Sequence, residues 1–334
     1  MGMARAYRTS QLVYVAAKLR IADLLADGPK SCREIAVSLG ASEDAVCRVM
    51  RGLAGLGLFE PFDEDRFTLT ALSVPLLDVP GSVRSGVIYV GEEQYRAWGD
   101  LLQTVMTGQP AFPRLFGDPF SYYDEHPEAG ESFDDWMTAS SMQVAAGISH
   151  SYEFPDSGVV VDIAGGKGAL LSAILNSRPH LRGILLERQS VIEKARRFLE
   201  AEGTLERCRL VPGDFRLTVS RGGDIYILRN VLHDWDDFGA LQILKATRRA
   251  MKPGSRLLVI QRTMPDASLG NPPRIGMVEA DLMQLVYSGG RERTDAEFRS
   301  LLMAASFTIT NVMKSGGQTW LIEASISARN ASGA

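Results

Sequence analysis

Cysteine and histidine are both scarce in this chain of 334 residues, which has three of the first and four of the second. Cys32, Cys47 and Cys208 are scattered, no pair has metal or redox spacing, and the odd count argues against a disulfide framework. His126, His150, His180 and His233 make no metal-ligand spacing either, so no metal centre is expected. A surplus of one charge sign is also missing. Lys and Arg number 36 against 40 Asp and Glu, a formal net charge of -4, which gives no basis for general nucleic-acid affinity. The amino terminus lacks a long apolar run, so neither a signal peptide nor a membrane span is expected, and the prior is a cytoplasmic enzyme. Internal repeats are absent, and the only low-complexity tract is a frayed tail from about Ala328.

What is present is ordinary globular composition, 45% hydrophobic and 23% charged, in a chain long enough for two substantial cores. Three regions are expected: 1–85, 86–150 and 151–327. In the first, Leu12, Val15, Ala16, Leu19, Ala22 and Leu25 recur at helical spacing until Gly28-Pro29 stops the run. Ser31-Cys32-Arg33-Glu34 has the form of a capping box, and Ser42 opens a further helix from Glu43 to Leu56. Leu58-Phe59-Glu60 and Arg66-Phe67-Thr68-Leu69 then flank an acidic turn, completing the element order of a winged helix. A DNA-binding regulator is therefore one reading of this part. Its recognition helix would offer only Arg48 and Arg51, both near the carboxyl end, whereas DNA readers place base contacts near the amino end and add several phosphate contacts. Packing, and dimerisation in particular, suits the segment better. The second region is rich in aromatic residues and methionine and is broken into short helices by Pro110, Pro113, Pro119 and Pro127; most of its large side chains read as core, and some suit a wall for flat apolar ligands.

From about residue 155 strands and helices alternate, which predicts a doubly wound α/β sheet. Strands are expected at Val159–Ile163, Gly183–Glu187, Cys208–Gly213, Asp224–Arg229, Arg256–Arg262, Thr308–Met313 and Trp320–Ala324, with the last two antiparallel at the sheet edge. The segment Val159-Val160-Val161-Asp162-Ile163-Ala164-Gly165-Gly166-Lys167-Gly168 is strand, glycine turn and helix start. Such a turn brings backbone close to a ligand at the positive end of a helix. The glycine order is not the G-x-G-x-x-G of dinucleotide sites, which weighs against a nicotinamide oxidoreductase. Glu187 closes the next strand about twenty residues on, where a carboxylate can accept both hydroxyls of a ribose. Asp214 can accept from an exocyclic amino group and Phe215 can pack on a purine face. His233 stands just past the carboxyl end of the fourth strand, where such sheets bind ligands and where a histidine is a candidate base.

In order, Asp-Ile-Ala-Gly-Gly-Lys-Gly, Leu-Leu-Glu-Arg, Gly-Asp-Phe, Leu-His-Asp-Trp-Asp-Asp and Gly289-Gly290-Arg291-Glu292-Arg293-Thr294 resemble the S-adenosylmethionine-dependent O-methyltransferases of the caffeic acid and hydroxyindole type. The resemblance covers nearly the whole chain. It implies a Rossmann-like methyltransferase domain behind a winged-helix dimerisation domain, a homodimer, S-adenosylmethionine as cofactor, and an aromatic or polyketide-like small-molecule acceptor. Carried over, the cofactor contacts fall on Asp162, Ala164, Gly165, Gly166, Gly168, Glu187, Asp214, Phe215 and Arg229. His233 matches the general base, with Asp234 beside it, and Glu292 a carboxylate that orients it. Phe133, Met137, Ser140, Leu282, Met283 and Tyr287 match substrate-lining positions. Two departures stand out. Ala164 takes the first of three positions that are usually glycine, and Gln261 stands where plant members carry a second catalytic glutamate. The glutamine keeps open a relative with this fold that performs decarboxylation, hydroxylation or a pericyclic step instead.

Overall fold

The computed structural model describes residues 1–266, 273–315 and 319–326. The expected boundary at 327 and the tail from Ala328 lie outside them. Two compact units are resolved, one of residues 1–99 and 125–139, the other of 100–124 and 140–334. No helix among the described residues is long and apolar enough to cross a membrane.

The first unit opens with α1 (Ala6–Lys18) and α2 (Ile21–Leu24). The sequence reads as one helical run there, but Arg20 adopts a left-handed conformation with φ +54° and breaks it. Its guanidinium is then held by Asp23 at 3.4 Å and Asp78 at 2.9 Å. Next come β1 (Lys30–Ser31), α3 (Cys32–Leu39), α4 (Glu43–Gly55), and the hairpin β2 (Phe59–Pro61) and β3 (Arg66–Leu69). The sheet order is β1-β3-β2, the wing of a winged helix. Ser31 and Glu34 form the anticipated capping box, each side chain bonding the other's backbone N–H at 3.2 and 2.7 Å. Both satisfy donors that the first helical turn leaves open. The core joins Ala17, Ile21, Ile35, Met50, Leu53 and Phe59. The expectation for the cysteines is corrected here: Cys32 and Cys47 form a disulfide, with Cα atoms 5.2 Å apart. They lie at the start of α3 and within α4, so it is the packing of the two helices, and no local spacing, that pairs them.

The segment that follows is a series of short helices: α5 (Arg84–Tyr89), a π turn at Val90–Gln94, α6 (Tyr95–Gly99), α7 (Leu101–Thr107), α8 (Ala111–Phe116), α9 (Pro119–Glu125) and the long α10 (Pro127–Ser151). Pro119 and Pro127 each occupy a first helical position, where the missing N–H costs nothing. Within the first unit, α1 lies so close to the π turn that a Cβ on Gly91 would sit 2.4 Å from the Tyr14 ring.

The second unit is a seven-stranded sheet in the order β6-β5-β4-β7-β8-β10-β9. Its strands are β4 (Ser157–Ile163), β5 (His180–Glu187), β6 (Cys208–Pro212), β7 (Ile225–Arg229), β8 (Arg256–Arg262), β9 (Phe307–Lys314) and β10 (Thr319–Ile326). The first five run parallel. β9 and β10 are antiparallel as expected, and β10 inserts between β8 and β9. The helices are α11 (Ala169–Ser177), α12 (Gln189–Ala201), α13 (Asp237–Ala250), α14 (Ile275–Tyr287) and α15 (Asp295–Ala304). Alternate residues of β8 feed opposite cores: Leu257 and Val259 join Ile243 and Phe298, while Leu258 and Ile260 join Leu171 and Ile174. A sheet buried on both faces leaves its carboxyl edge as the place for a site, and strand order reverses beside β4 there.

Candidate active site

The glycine turn forms as its sequence demands. Ala164, Gly166 and Gly168 have φ values of +57°, +59° and +84°. Two of these are free for glycine, and Ala164 bears a cost of roughly 1–2 kcal/mol for its Cβ. Its N–H is retained by the Leu186 carbonyl at 2.8 Å. Gly165 is required by close approach, since a Cβ there would lie 2.3 Å from Asp162 Oδ2 and 2.7 Å from Leu185. Asp162 is itself buried, and its Oδ2 has no hydrogen-bond partner among the described residues. Burial raises its pKa to about 7, against the opposing influence of Arg229.

Glu187 ends β5 next to the turn. Its Oε2 accepts the Gly166 N–H at 2.9 Å and its Oε1 the Arg188 N–H at 2.7 Å. The Gly213 N–H donates to the Glu187 carbonyl at 2.9 Å, which draws the end of β6 to the same place. Asp214 follows, and the guanidinium of Arg216 grips its carboxylate through Nε at 2.9 Å and Nη2 at 2.6 Å, holding the acid below its usual range. Arg216 also lies over the Trp235 ring, 5.2 Å from its centroid. Arg229, at the end of β7, donates to Ser141 Oγ at 2.8 Å and to Ser140 at 3.2 Å, and burial lowers its pKa to about 10.

His233 occupies a single 3-10 turn, Leu232–Asp234, just past β7. Its Nδ1 is 2.9 Å from Glu292 Oε1 and its Nε2 is 3.5 Å from Asp234 Oδ1. Burial alone would lower the pKa of His233, but Asp234 and the Glu292 hydrogen bond outweigh it and the net shift is upward. Asp234 is pushed up to about 6 by burial. A carboxylate at Nδ1 assigns the proton of the neutral ring to that nitrogen and leaves Nε2 as an acceptor.

The turn is clamped to the Gly289–Thr294 loop. The Arg291 N–H donates to the His233 carbonyl at 2.8 Å, and a Cβ on Gly290 would lie 2.0 Å from that same oxygen. Arg293, fully buried, donates to the carbonyls of Leu232 at 2.7 Å and Trp235 at 2.8 Å and to Asp237 at 2.9 Å. Asp281 of α14 accepts the Glu292 N–H at 2.8 Å, and Gln284 Nε2 stands 3.5 Å from His233 Nδ1. Sequence reasoning missed Asp281, Gln284 and Arg293. A basic residue locked between a carboxylate and a helix-capping threonine was the one available signal for Arg293. Leu282, Met283 and Tyr287 lie on the same helix, and the Tyr287 ring packs edge-on to Phe112 at 5.0 Å. Ser140 is placed at Arg229, as above. Phe133 and Met137 belong to the first unit, where Phe133 packs edge-on to Tyr89 at 5.5 Å. Gln261 is fully buried at the end of β8, with neither amide atom partnered among the described residues.

Residues 98–308 match the family model of the O-methyltransferase domain, and residues 1–78 that of the O-methyltransferase dimerisation domain. The chain belongs to the O-methyltransferase family. It is 40% identical to phenazine O-methyltransferase PhzM of Lysobacter antibioticus over 96% of this chain and 94% of that one. It is 36% identical to the mitomycin biosynthesis 6-O-methyltransferase of Streptomyces lavendulae over 92% and 88%. Among solved structures, LaPhzM superposes with a TM-score of 0.92 at 40% identity, covering 96% of each chain. NcsB1, an O-methyltransferase from neocarzinostatin biosynthesis in complex with S-adenosylmethionine and 2-hydroxy-5-methyl naphthoic acid, superposes at 0.83 with 31% identity over 96% of each. O-methyltransferases of this family act on small natural-product molecules and take their methyl group from S-adenosylmethionine.

The carboxyl edge of the sheet fits that donor. Backbone without side chains lines the turn at Gly165, Gly166 and Gly168, Glu187 presents a buried carboxylate beside it, and the unpaired Asp162 Oδ2 is an acceptor at the same edge.

Proposed function

We propose that this chain is a homodimeric, cytoplasmic enzyme that methylates a hydroxyl of an aromatic or polyketide-like small molecule, with His233 as general base. The observation that carries the reading is the 2.9 Å contact between His233 Nδ1 and the buried Glu292. A sulfonium methyl is already activated, so the protein must align the acceptor and remove its proton as attack proceeds. A phenol has a pKa near 10, and a neutral imidazole positioned at its oxygen contributes roughly a hundred- to ten-thousandfold. Glu292 holds the ring in the tautomer that frees Nε2 and offsets the positive charge that forms on it. Asp234, on the Nε2 side, adds to that stabilisation.

Glu187 takes the ribose hydroxyls in this reading, the turn from Ala164 to Gly168 takes the methionine end, and Asp214 with Phe215 takes the adenine. Leu282, Met283 and Tyr287 form an acceptor wall on α14, with Ser140, Phe133 and Met137 also assigned to the acceptor. The segment 1–78 serves dimerisation, in keeping with the family model it matches. A second reading, a nitrogen acceptor, is favoured by a relative 33% identical, the phenazine-1-carboxylate N-methyltransferase of Pseudomonas aeruginosa.

The test is His233→Ala. It should bind S-adenosylmethionine as the wild type does and lose at least a hundredfold in kcat on any hydroxyl acceptor found by product mass. Unchanged turnover would remove His233 as base, and a product methylated on nitrogen would replace the acceptor class.

A further inference from the structure

Residues 100–124 pack with the second unit, although Gly99 and Glu125 on either side of them belong to the first. The segment forms a strap with two ties. At its middle, Phe112 meets Tyr287 of α14. At its end, Arg188 Nη1 donates to the Phe120 carbonyl at 2.9 Å and to Asp124 Oδ1 at 2.7 Å, while the guanidinium lies over the Phe120 ring, 5.2 Å from its centroid.

The two arginines share a position in the architecture. Arg188 directly follows Glu187 and gives its backbone N–H to the Glu187 carboxylate at 2.7 Å. Arg216 follows Asp214 by two residues and grips that carboxylate. Each therefore stands behind an acid at the carboxyl edge of the sheet, and Arg188 also holds Asp124 of the strap. The pairing of β5 with β6, Gly183–Glu187 against Cys208–Pro212, is a backbone ladder in which neither guanidinium takes part.

We propose that the strap of residues 100–124 is a closing element over the adenosine side of the cofactor site, latched by Arg188 on Phe120 and Asp124, and that opening this latch governs how fast S-adenosylhomocysteine leaves. Arg188 is a positioning residue here: it acts through Glu187 and the strap and touches no reacting atom. The inference rests on the family's methyl donor and on the placement of Glu187, not on the acceptor or on His233.

The experiment is stopped-flow release of S-adenosylhomocysteine from the full chain. Arg188→Ala should speed release about five- to tenfold, the scale of one partly exposed charged pair with its hydrogen bonds. Asp124→Asn, an exposed change compatible with an intact fold, should give about fivefold. The double variant should be no faster than Arg188→Ala, because both break one contact. Wild-type release should quicken with added salt, and release from the variants should not. Unchanged release in both single variants, or effects that multiply in the double one, would overturn the latch, even if thermal stability falls. Glu187→Gln separates the assignments: equilibrium affinity unchanged by it removes Glu187 from the ribose, whereas unchanged release in the strap variants removes the strap.

Discussion

Replacing Glu292 with glutamine tests the base pair at its most sensitive point. The carboxylate is almost wholly buried and lies 2.9 Å from His233 Nδ1. Glutamine keeps the volume and can still accept from Nδ1–H, but it brings no charge. A hydrogen bond to a charged group is worth about 1.5–3 kcal/mol net, roughly ten- to 150-fold at about 1.4 kcal/mol per factor of ten. In the wild type the pKa of His233 lies above 6.5 because its two acids outweigh burial. In Glu292→Gln one of those acids is lost while burial remains, so the pKa must fall. A raised histidine stabilises the fold fully below the unfolded pKa, and that contribution is lost as pH rises through the folded value. The variant should lose part of it and should bring the neutral imidazole in at lower pH. Its kcat should nevertheless fall by the factor above at every pH, since the imidazolium formed in the transition state loses its partner. With four histidines in the chain, an imidazole NMR titration with His233 assigned by its own substitution reads the shift without any acceptor. An identical His233 midpoint in wild type and variant would refute the electrostatic account.

Three further outcomes follow from the geometry. Asp162, with a folded pKa of about 7, contributes stability below the ordinary carboxylate range that disappears as pH climbs through 7. Asp162→Asn cannot ionise, so by thermal melts across pH it should gain on the wild type between pH 4 and 7, up to a ceiling of about 4 kcal/mol, while a constant difference would refute the shift. Arg293→Ala strands the buried Leu232 carbonyl and the part-buried Trp235 carbonyl and should cost about 3–5 kcal/mol in urea unfolding, with loss of turnover. Gly290→Ala forces a Cβ against backbone at 2.0 Å. It should displace Glu292 from His233 and cut kcat at least a hundredfold at unchanged S-adenosylmethionine affinity.

The strands were legible because each is a short run of branched residues bounded by turns, and all seven expected strands fall within two or three residues of those observed. The glycine turn, Glu187 and His233 were legible because they abut strand ends, where the edge of a parallel sheet defines position. What could not be read were contacts made across the chain. The Cys32–Cys47 bridge follows from helix packing, and the break at Arg20 falls on a residue that is no helix stopper. From α14, some fifty residues downstream of His233, Gln284 reaches the base and Asp281 the backbone of Glu292, and nothing in the helical pattern marks them. Arg216 is likewise silent in sequence, since only the folded chain sets its guanidinium between Asp214 and Trp235.

The insertion of β10 between β8 and β9 has a consequence for biosynthesis. Leu257 to Gln261 of β8 are buried in the finished sheet, yet their outer edge has no partner until Trp320 to Ala324 have been made. About 55 residues separate the two strands, several seconds of elongation at roughly 5–20 residues per second. Through that interval the nascent chain presents an apolar, unpaired strand edge, the kind of surface that invites pairing with another chain. Until β10 docks, the catalytic half of the enzyme carries that edge, and a holding chaperone would act on it before that step.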